Sequence, residues 1–212
     1  MRKRLCALMM TLILLLSACD NRGGSGAEKL LQQVRGSYLE MAGCIGHGEI
    51  VADYGQRVYS FGVDFSWEKE GETLLRLTYP ENVVGTTAHI KKGETALEFD
   101  GVIVETGPLD EAGLTPIDVI PALLHNIREG YIADCALEER EGLQELHAIC
   151  RDPEKVPGEG VEVQLWFDPE TLGLLRGEVS SDGVTVIRCE ITEFSMTSPE
   201  RTDDIDNASP EE

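Results

Sequence analysis

Two Asp-Pro-Glu runs, Asp152-Pro153-Glu154 and Asp168-Pro169-Glu170, bring carboxylates together, the residue type that a paired-acid hydrolase needs. Both fall in stretches that read as turns. There an Asp carboxylate accepts a hydrogen bond from its own backbone and serves as a cap. Cys44-x-x-His47 and His47-x-Glu49 could form half of a metal site, but His89, His125 and His147 stand alone and no second half follows at ligand spacing. The plainer reading of Cys44–Glu49 is a helix-to-strand junction with solvated polar residues. His125 lies beside an apolar helical stripe and reads as a surface or internally satisfied histidine rather than a base. No G-x-S-x-G elbow, H-E-x-x-H pair, Walker loop or Rossmann glycine fingerprint occurs. The expectation is a protein that is not an enzyme, with no catalytic residue, no metal and no cofactor.

One sulfur is different. Met1-Arg2-Lys3-Arg4 is cationic, and the mostly apolar run Leu5–Leu16 that follows is too short to cross ~30 Å of hydrocarbon, which takes about 20 helical residues. It has the length of a signal-peptide hydrophobic region, and it ends in Leu16-Ser17-Ala18-Cys19, a lipobox pattern. Residues 1–18 are therefore expected to be cleaved and Cys19 to carry the lipid. The acyl chains would supply membrane affinity at about 0.8 kcal/mol per buried CH₂. This predicts an extracytoplasmic protein, lipid-anchored to the cell membrane.

Of the six cysteines, Cys6 leaves with the leader and Cys19 is acylated. Cys44, Cys135, Cys150 and Cys189 remain, an even number in a compartment where disulfides persist. Disulfides in any of three pairings and buried free thiols are both open. The formal net charge is −21, and −24 once the three bases of the leader are gone. Such a surface repels nucleic acid and anionic headgroups, which argues against those partners and favours simple solubility, a basic partner or a cationic ligand.

The elements that must position these residues follow from periodicity. Residues 19–27 read as lipidated cysteine plus a Gly/Ser-rich tether, 28–196 as one domain, and 197–212 as a disordered acidic tail. Leu30, Leu31, Val34, Tyr38, Leu39 and Met41 recur at helical spacing. Alternation of period two then runs through Val58–Trp67, Leu75–Tyr79, Val83–Ile90, Leu97–Phe99 and Val102–Glu105, with Lys92-Gly93 and Asp100-Gly101 as turns. Thr115-Pro116 opens a helical insert striped by Ile117, Ile120, Leu123, Leu124 and Ile127, in which Pro121 predicts two short helices or a kink. Hairpins resume at Tyr131–Leu137, Leu143–Cys150, Val161–Phe167, Leu174–Val179 and Val184–Phe194.

A long antiparallel sheet twists and curls. The expected fold is thus α+β: a strongly curved antiparallel sheet, an incomplete β-barrel, with the N-terminal helix and the helical insert covering its concave face. The candidate hydrophobic pocket between them is assigned to Phe61, Val63, Phe65, Trp67, Leu77, Ile120, Leu124 and Trp166.

Trp166-Phe167-Asp168-Pro169-Glu170 and the following Asp182-Gly183 hairpin resemble the C-terminal strands of the LolA-like lipoprotein-carrier superfamily, and Leu75–Glu81 with Gly85 is similar to its central strands. The lipidated branch, with Pro116-Ile117-Asp118 and Leu123–Ile127 after the meander, resembles germination lipoproteins of spore formers. That resemblance implies a non-enzymatic binding or accessory protein in envelope or spore maturation and germination. The alternative it implies is a carrier of lipid or acyl chains. A hydrolase acting near Asp168 and a surface protein assembling as a homodimer through exchanged strands are the competing expectations.

Overall fold

The computed structural model describes residues 24–108 and 112–198. Cys19, residues 20–23 of the expected tether and the tail from 199 lie outside the described residues. Helix α1 runs Gly24–Glu40, so it begins inside the stretch expected as tether, and Ala27 is already fully buried. Val34 and Tyr38 continue that buried stripe. Every third or fourth position thus faces one wall, as an amphipathic helix requires.

Among the described residues eleven strands follow: β1 (Gly43–Asp53), β2 (Val58–Glu68), β3 (Thr73–Tyr79), β4 (Thr87–Lys91), β5 (Glu94–Phe99), β6 (Val102–Pro108), β7 (Ile132–Arg140), β8 (Leu143–Arg151), β9 (Val161–Phe167), β10 (Leu174–Ser181) and β11 (Val184–Thr197). They form one antiparallel sheet in the order β6-β5-β4-β3-β2-β1-β11-β10-β9-β8-β7. Two meanders, β1–β6 and β7–β11, therefore meet side by side at β1 and β11, and the curved sheet stays open with β6 and β7 as its edges. Lys92-Gly93, Asp100-Gly101, Glu141-Gly142 and Asp182-Gly183 have positive φ at both residues, 49–56° then 75–84°. These are type I′ turns, whose twist matches that of the strands they join.

Helix α2 spans Val119–Glu129 and is one continuous helix, not the two pieces or kink that Pro121 suggested. Pro121 is its third residue, in the first turn, where no backbone N–H is needed. Thr115 does not cap it directly. A turn, with the Asp118 and Val119 amides donating to the Thr115 carbonyl at 3.2 and 3.1 Å, intervenes before helix starts. Ile120, Leu123, Leu124 and Ile127 are essentially fully buried and join Val34, Tyr38, Leu165, Phe167, Val179 and Ile187 in one core. Each such side chain stabilises the fold by about 1.5–3 kcal/mol relative to exposure.

Both helix C-termini are closed by a cation from elsewhere. Arg35 of α1 donates to the carbonyls of Arg128 and Gly130 at 3.1 Å each, and Lys69 Nζ donates to the Leu39 carbonyl at 2.6 Å. A positive charge there opposes the negative end of the helix dipole.

The convex face carries cross-strand polar pairs: His47 with Asp64 at 2.6 Å, His147 with Glu138 at 2.7 Å, Arg151 with Glu162 at 3.5 Å and Arg188 with Glu178 at 3.7 Å. His89 bridges Glu72 (2.9 Å) and Glu98 (3.0 Å) through its two ring nitrogens. Partial burial works against its charged form, but the hydrogen bonds and charges of the two carboxylates outweigh it and raise the pKa above 6.5. A raised folded-state pKa means stability that is complete below the unfolded value and lost as pH climbs through the folded one. Unfolding in urea at pH 6 and pH 8 should therefore show a larger loss for the wild type than for His89→Gln. Equal losses would remove this account.

Candidate apolar pocket on the concave face

Two recesses lie between helices and sheet among the described residues: a polar cleft of about 640 Å³ where Glu28 and Arg35 of α1 face β7, and an apolar cavity of about 380 Å³ at the β2–β5 end. The wall of the apolar cavity comes from alternate residues of neighbouring strands. Phe61 and Val63 stand on β2, Leu75 and Leu77 on β3, Ala88 on β4 and Leu97 on β5. Period-two alternation places these on one side of the pleat, and the register aligns Val63 with Leu77, Phe65 with Leu75, Leu75 with Ala88 and Ala88 with Leu97. Val83, at the end of a short 3₁₀ turn (Glu81–Val83), and Thr86 form one rim. Thr115-Pro116-Ile117, the turn before α2, lies over the other.

That lid is held from both sides. The Tyr54 hydroxyl donates to the Leu114 carbonyl at 3.1 Å, and the Thr115 hydroxyl donates to an Asp118 carboxylate oxygen at 2.6 Å. Tyr54, Tyr59 and Phe61 form an aromatic run toward the pocket, with ring centroids 6.2 and 6.4 Å apart. Tyr54 and Tyr59 are exposed. The cavity volume lies at the small end of the roughly 300–1,000 Å³ typical of small-molecule pockets. A lining of this kind holds apolar groups by excluding water and offers no proton-transfer group.

The pocket contains Phe61, Val63 and Leu77 of the residues expected to line it. The other five lie elsewhere. Phe65 is buried against Phe194, ring centroids 6.4 Å apart, and Ile120 and Leu124 are in the packed core. The guanidinium of Arg128 covers Trp67 at 4.9 Å. Trp166 is on the opposite face of the sheet. It shares parity with Gln164, stacks on His147 at 4.3 Å and 8°, takes the Arg176 guanidinium at 3.9 Å, and donates its indole N–H to Glu138 at 3.2 Å. Sequence reasoning missed Leu75, Val83, Thr86, Ala88, Leu97 and the Thr115–Ile117 lid. Leu75 and Leu97 carried a parity signal, whereas the lid depends on a distant segment.

The residues with chemical potential are dispersed. β1 begins at Gly43, so Cys44–Glu49 are strand rather than a junction. Cys44 is buried in the core while His47 reaches Asp64 on the convex face, as residues three apart on a strand must. Asp168 and Asp152 each accept the amide two residues on, at 2.8 and 2.9 Å. Burial works to raise the Asp168 pKa, but hydrogen bonds from the Glu170 amide and from Thr171 lower it below the usual carboxylate value. It is an ionised turn cap. His125 is exposed and 3.9 Å from Glu129 one turn on.

Cys44, Cys135, Cys150 and Cys189 are all free thiols. Neighbouring-strand register explains why. Cys44 pairs with Trp67 and Met196, Cys189 with Ile50 and Gly177, Cys150 with Val163 and Ile132, and Cys135 with Ala148. No two cysteines are opposite one another, and the diagonal Cys135–Cys150 offset corresponds to about 7–8 Å between strands, beyond disulfide reach. Burial pushes the Cys44 and Cys150 thiols up to about 12 and that of Cys189 higher still, so all three are protonated.

No protein-family model matches the chain, and no curated protein does. Several solved structures are similar to it. LprF from Mycobacterium bovis is 15% identical, with 84% of this chain and 97% of that one covered, at a TM-score of 0.45. Lipoprotein LppX from Mycobacterium tuberculosis is 13% identical, with 83% and 99% covered, at 0.44. The LolA superfamily protein NE2245 from Nitrosomonas europaea is 10% identical, with 82% and 94% covered, at 0.41. These are likenesses of chain path, and the pocket rests on its own geometry. Among the described residues no helix is long and apolar enough to cross a membrane.

Proposed function

We propose that this chain is an extracytoplasmic binding protein, tethered through a lipid on Cys19, that receives an apolar group beneath the Thr115–Ile117 lid and catalyses no reaction. The observation that carries this reading is the pocket itself: a recess of about 380 Å³ whose lining is almost wholly apolar, unlike the charged cleft between α1 and β7. A recess so small, beside a packed core, suits a few apolar side chains of a protein partner, and this is the occupant we favour. A single acyl chain is the second reading, supported by the lining's lack of polar groups. An accessory role in envelope or spore maturation and germination is supported by the sequence resemblance at Pro116–Ile127.

Filling the recess tests the proposal. Ala88→Phe puts a ring where the pocket wall now carries one methyl group. A fluorescent acyl probe and a hydrophobic peptide should each be titrated against wild type, Ala88→Phe and Trp166→Ala. At least one should bind wild type and lose about tenfold or more in Ala88→Phe, a difference of about 1.4 kcal/mol. Trp166→Ala should bind as wild type does. Equal binding by Ala88→Phe, or binding by neither probe, would reject the pocket as the functional site.

A further inference from the structure

β6 is an open edge. Val102, Ile103 and Val104 are 63%, 63% and 56% exposed, and among the described residues nothing pairs with the outer side of this strand. Its hydrogen-bonding pattern follows from the Asp100-Gly101 turn. The two-residue turn makes Phe99 and Val102 a mutually hydrogen-bonded pair, and alternation makes Leu97 and Val104 the next. Ile103 and Glu105 therefore direct their backbone N–H and C=O groups outward, away from β5.

The two faces of this edge differ in chemistry. Val102 and Val104 stand opposite Phe99 and Leu97, and Leu97 lines the pocket, so the concave side is apolar. Ile103 and Glu105 stand opposite Glu98 and Ala96 on the convex side, where Glu98 also holds His89. On that side the charged group of the edge strand itself is Glu105; Glu98 behind it is shared with His89, and Lys91 lies two strands in on β4. A strand added here is therefore complemented by alternation: apolar residues toward the concave side, basic residues toward Glu98 and Glu105.

We infer that β6 is a docking edge for an extended segment of another protein, one that alternates apolar and basic residues and joins the sheet as a twelfth strand. Backbone hydrogen bonds supply the attachment and the alternating side chains the selectivity, as in β-strand addition generally. Charge argues against the other occupants. The chain's own residues 199–212 are strongly acidic, and a second copy brings another net −24 with its own Glu98 and Glu105 to the same edge. Such an edge would otherwise be a site of uncontrolled pairing, which proteins ordinarily block. The inference goes beyond the pocket reading and does not depend on it.

The test uses the full chain and a labelled, capped Lys-Val-Lys-Val-Lys-Val peptide, followed by fluorescence anisotropy. Saturable binding is expected, with a Glu-Val-Glu-Val-Glu-Val peptide failing to compete. Ile103→Pro removes an outward N–H without taking a hydrogen bond from β5, and it should weaken binding about tenfold or more. Glu105→Lys should weaken it as well. In the wild type, amide exchange should slow at Ile103 and Glu105 on peptide addition. This reading needs no variant to fold. Absence of Lys-Val peptide binding, equal binding of the Glu-Val peptide, or unchanged exchange at both amides would overturn the inference. Concentration-dependent dimerisation abolished by Ile103→Pro would overturn it in favour of a second copy.

Discussion

Phe167→Ala should lower the stability of the fold by about 3–5 kcal/mol, the usual cost of truncating a buried phenylalanine. Phe167 ends β9, is fully buried, and meets Tyr38 of α1 edge-on with ring centroids 5.5 Å apart. Tyr38 stacks in turn on Phe194 of β11 at 5.8 Å, and Phe194 tilts against Phe65 of β2 at 6.4 Å. This row of rings ties the N-terminal helix to both meanders. Removing its first member opens a cavity that rigid strands on either side cannot collapse into. Native domains are stable by only about 5–15 kcal/mol, so the loss is a large fraction of the total. Urea denaturation followed by tryptophan fluorescence would measure it. A loss below about 1 kcal/mol would mean that α1 does not depend on this row.

Gly48→Ala should cost about 2–3 kcal/mol although it adds a single methyl group. The new Cβ would stand 2.3 Å from the Glu190 carbonyl oxygen and 3.1 Å from Ile191 Cα, both backbone atoms of β11. A register shift between His47 and Gly48 lies at this point of the β1–β11 ladder. Neither atom can rotate away, so the ladder itself has to move. Gly177→Ala is the instructive comparison. Its Cβ would meet Leu123 Cδ1, Cδ2 and Cγ at 2.5, 2.7 and 3.1 Å, so a buried side chain rather than the ladder has to give, and the expected cost is about 1–2 kcal/mol. Thermal unfolding of the two variants side by side checks the ranking, and the reverse order would refute the steric explanation.

Much of this fold was readable because the period of the apolar pattern changes cleanly. Val34 and Tyr38 repeat at helical spacing, Val58–Trp67 alternates, and the residue-plus-glycine turns mark where strands reverse. Pro121 misled because a proline's effect depends on how many residues of helix precede it, and the start of α2 was placed three residues early. Trp166 illustrates a different difficulty. In Leu165-Trp166-Phe167 every residue is apolar, so the run alone does not say which ones face inward. Parity with Glu162 and Gln164 contained the answer, and Arg176, from the next strand, supplies the cation that makes an outward indole comfortable. Trp67 and Phe65 had the right parity and still missed the pocket. Arg128 and Phe194, which cover them, are far away in sequence, and no local pattern encodes such an encounter. The lid at Thr115–Ile117 was hidden for the same reason.

The meeting of β1 with β11 also governs the order of assembly. Within each meander, neighbours in sequence are neighbours in the sheet, and hairpins of this kind form in about 1–10 μs. Joining the meanders is another matter: the Thr192 hydroxyl finds the His47 carbonyl across 145 positions of chain. Closing a loop of that span costs about 2–3 kcal/mol more entropy than closing one of ten residues. Residues along that junction, among them Ile50 and Cys189, are therefore expected to gain their contacts late. Weakening them would hasten unfolding while leaving the refolding rate almost untouched. Such a molecule would be lost from its centre outward, through a central zip that parts while both wings remain intact.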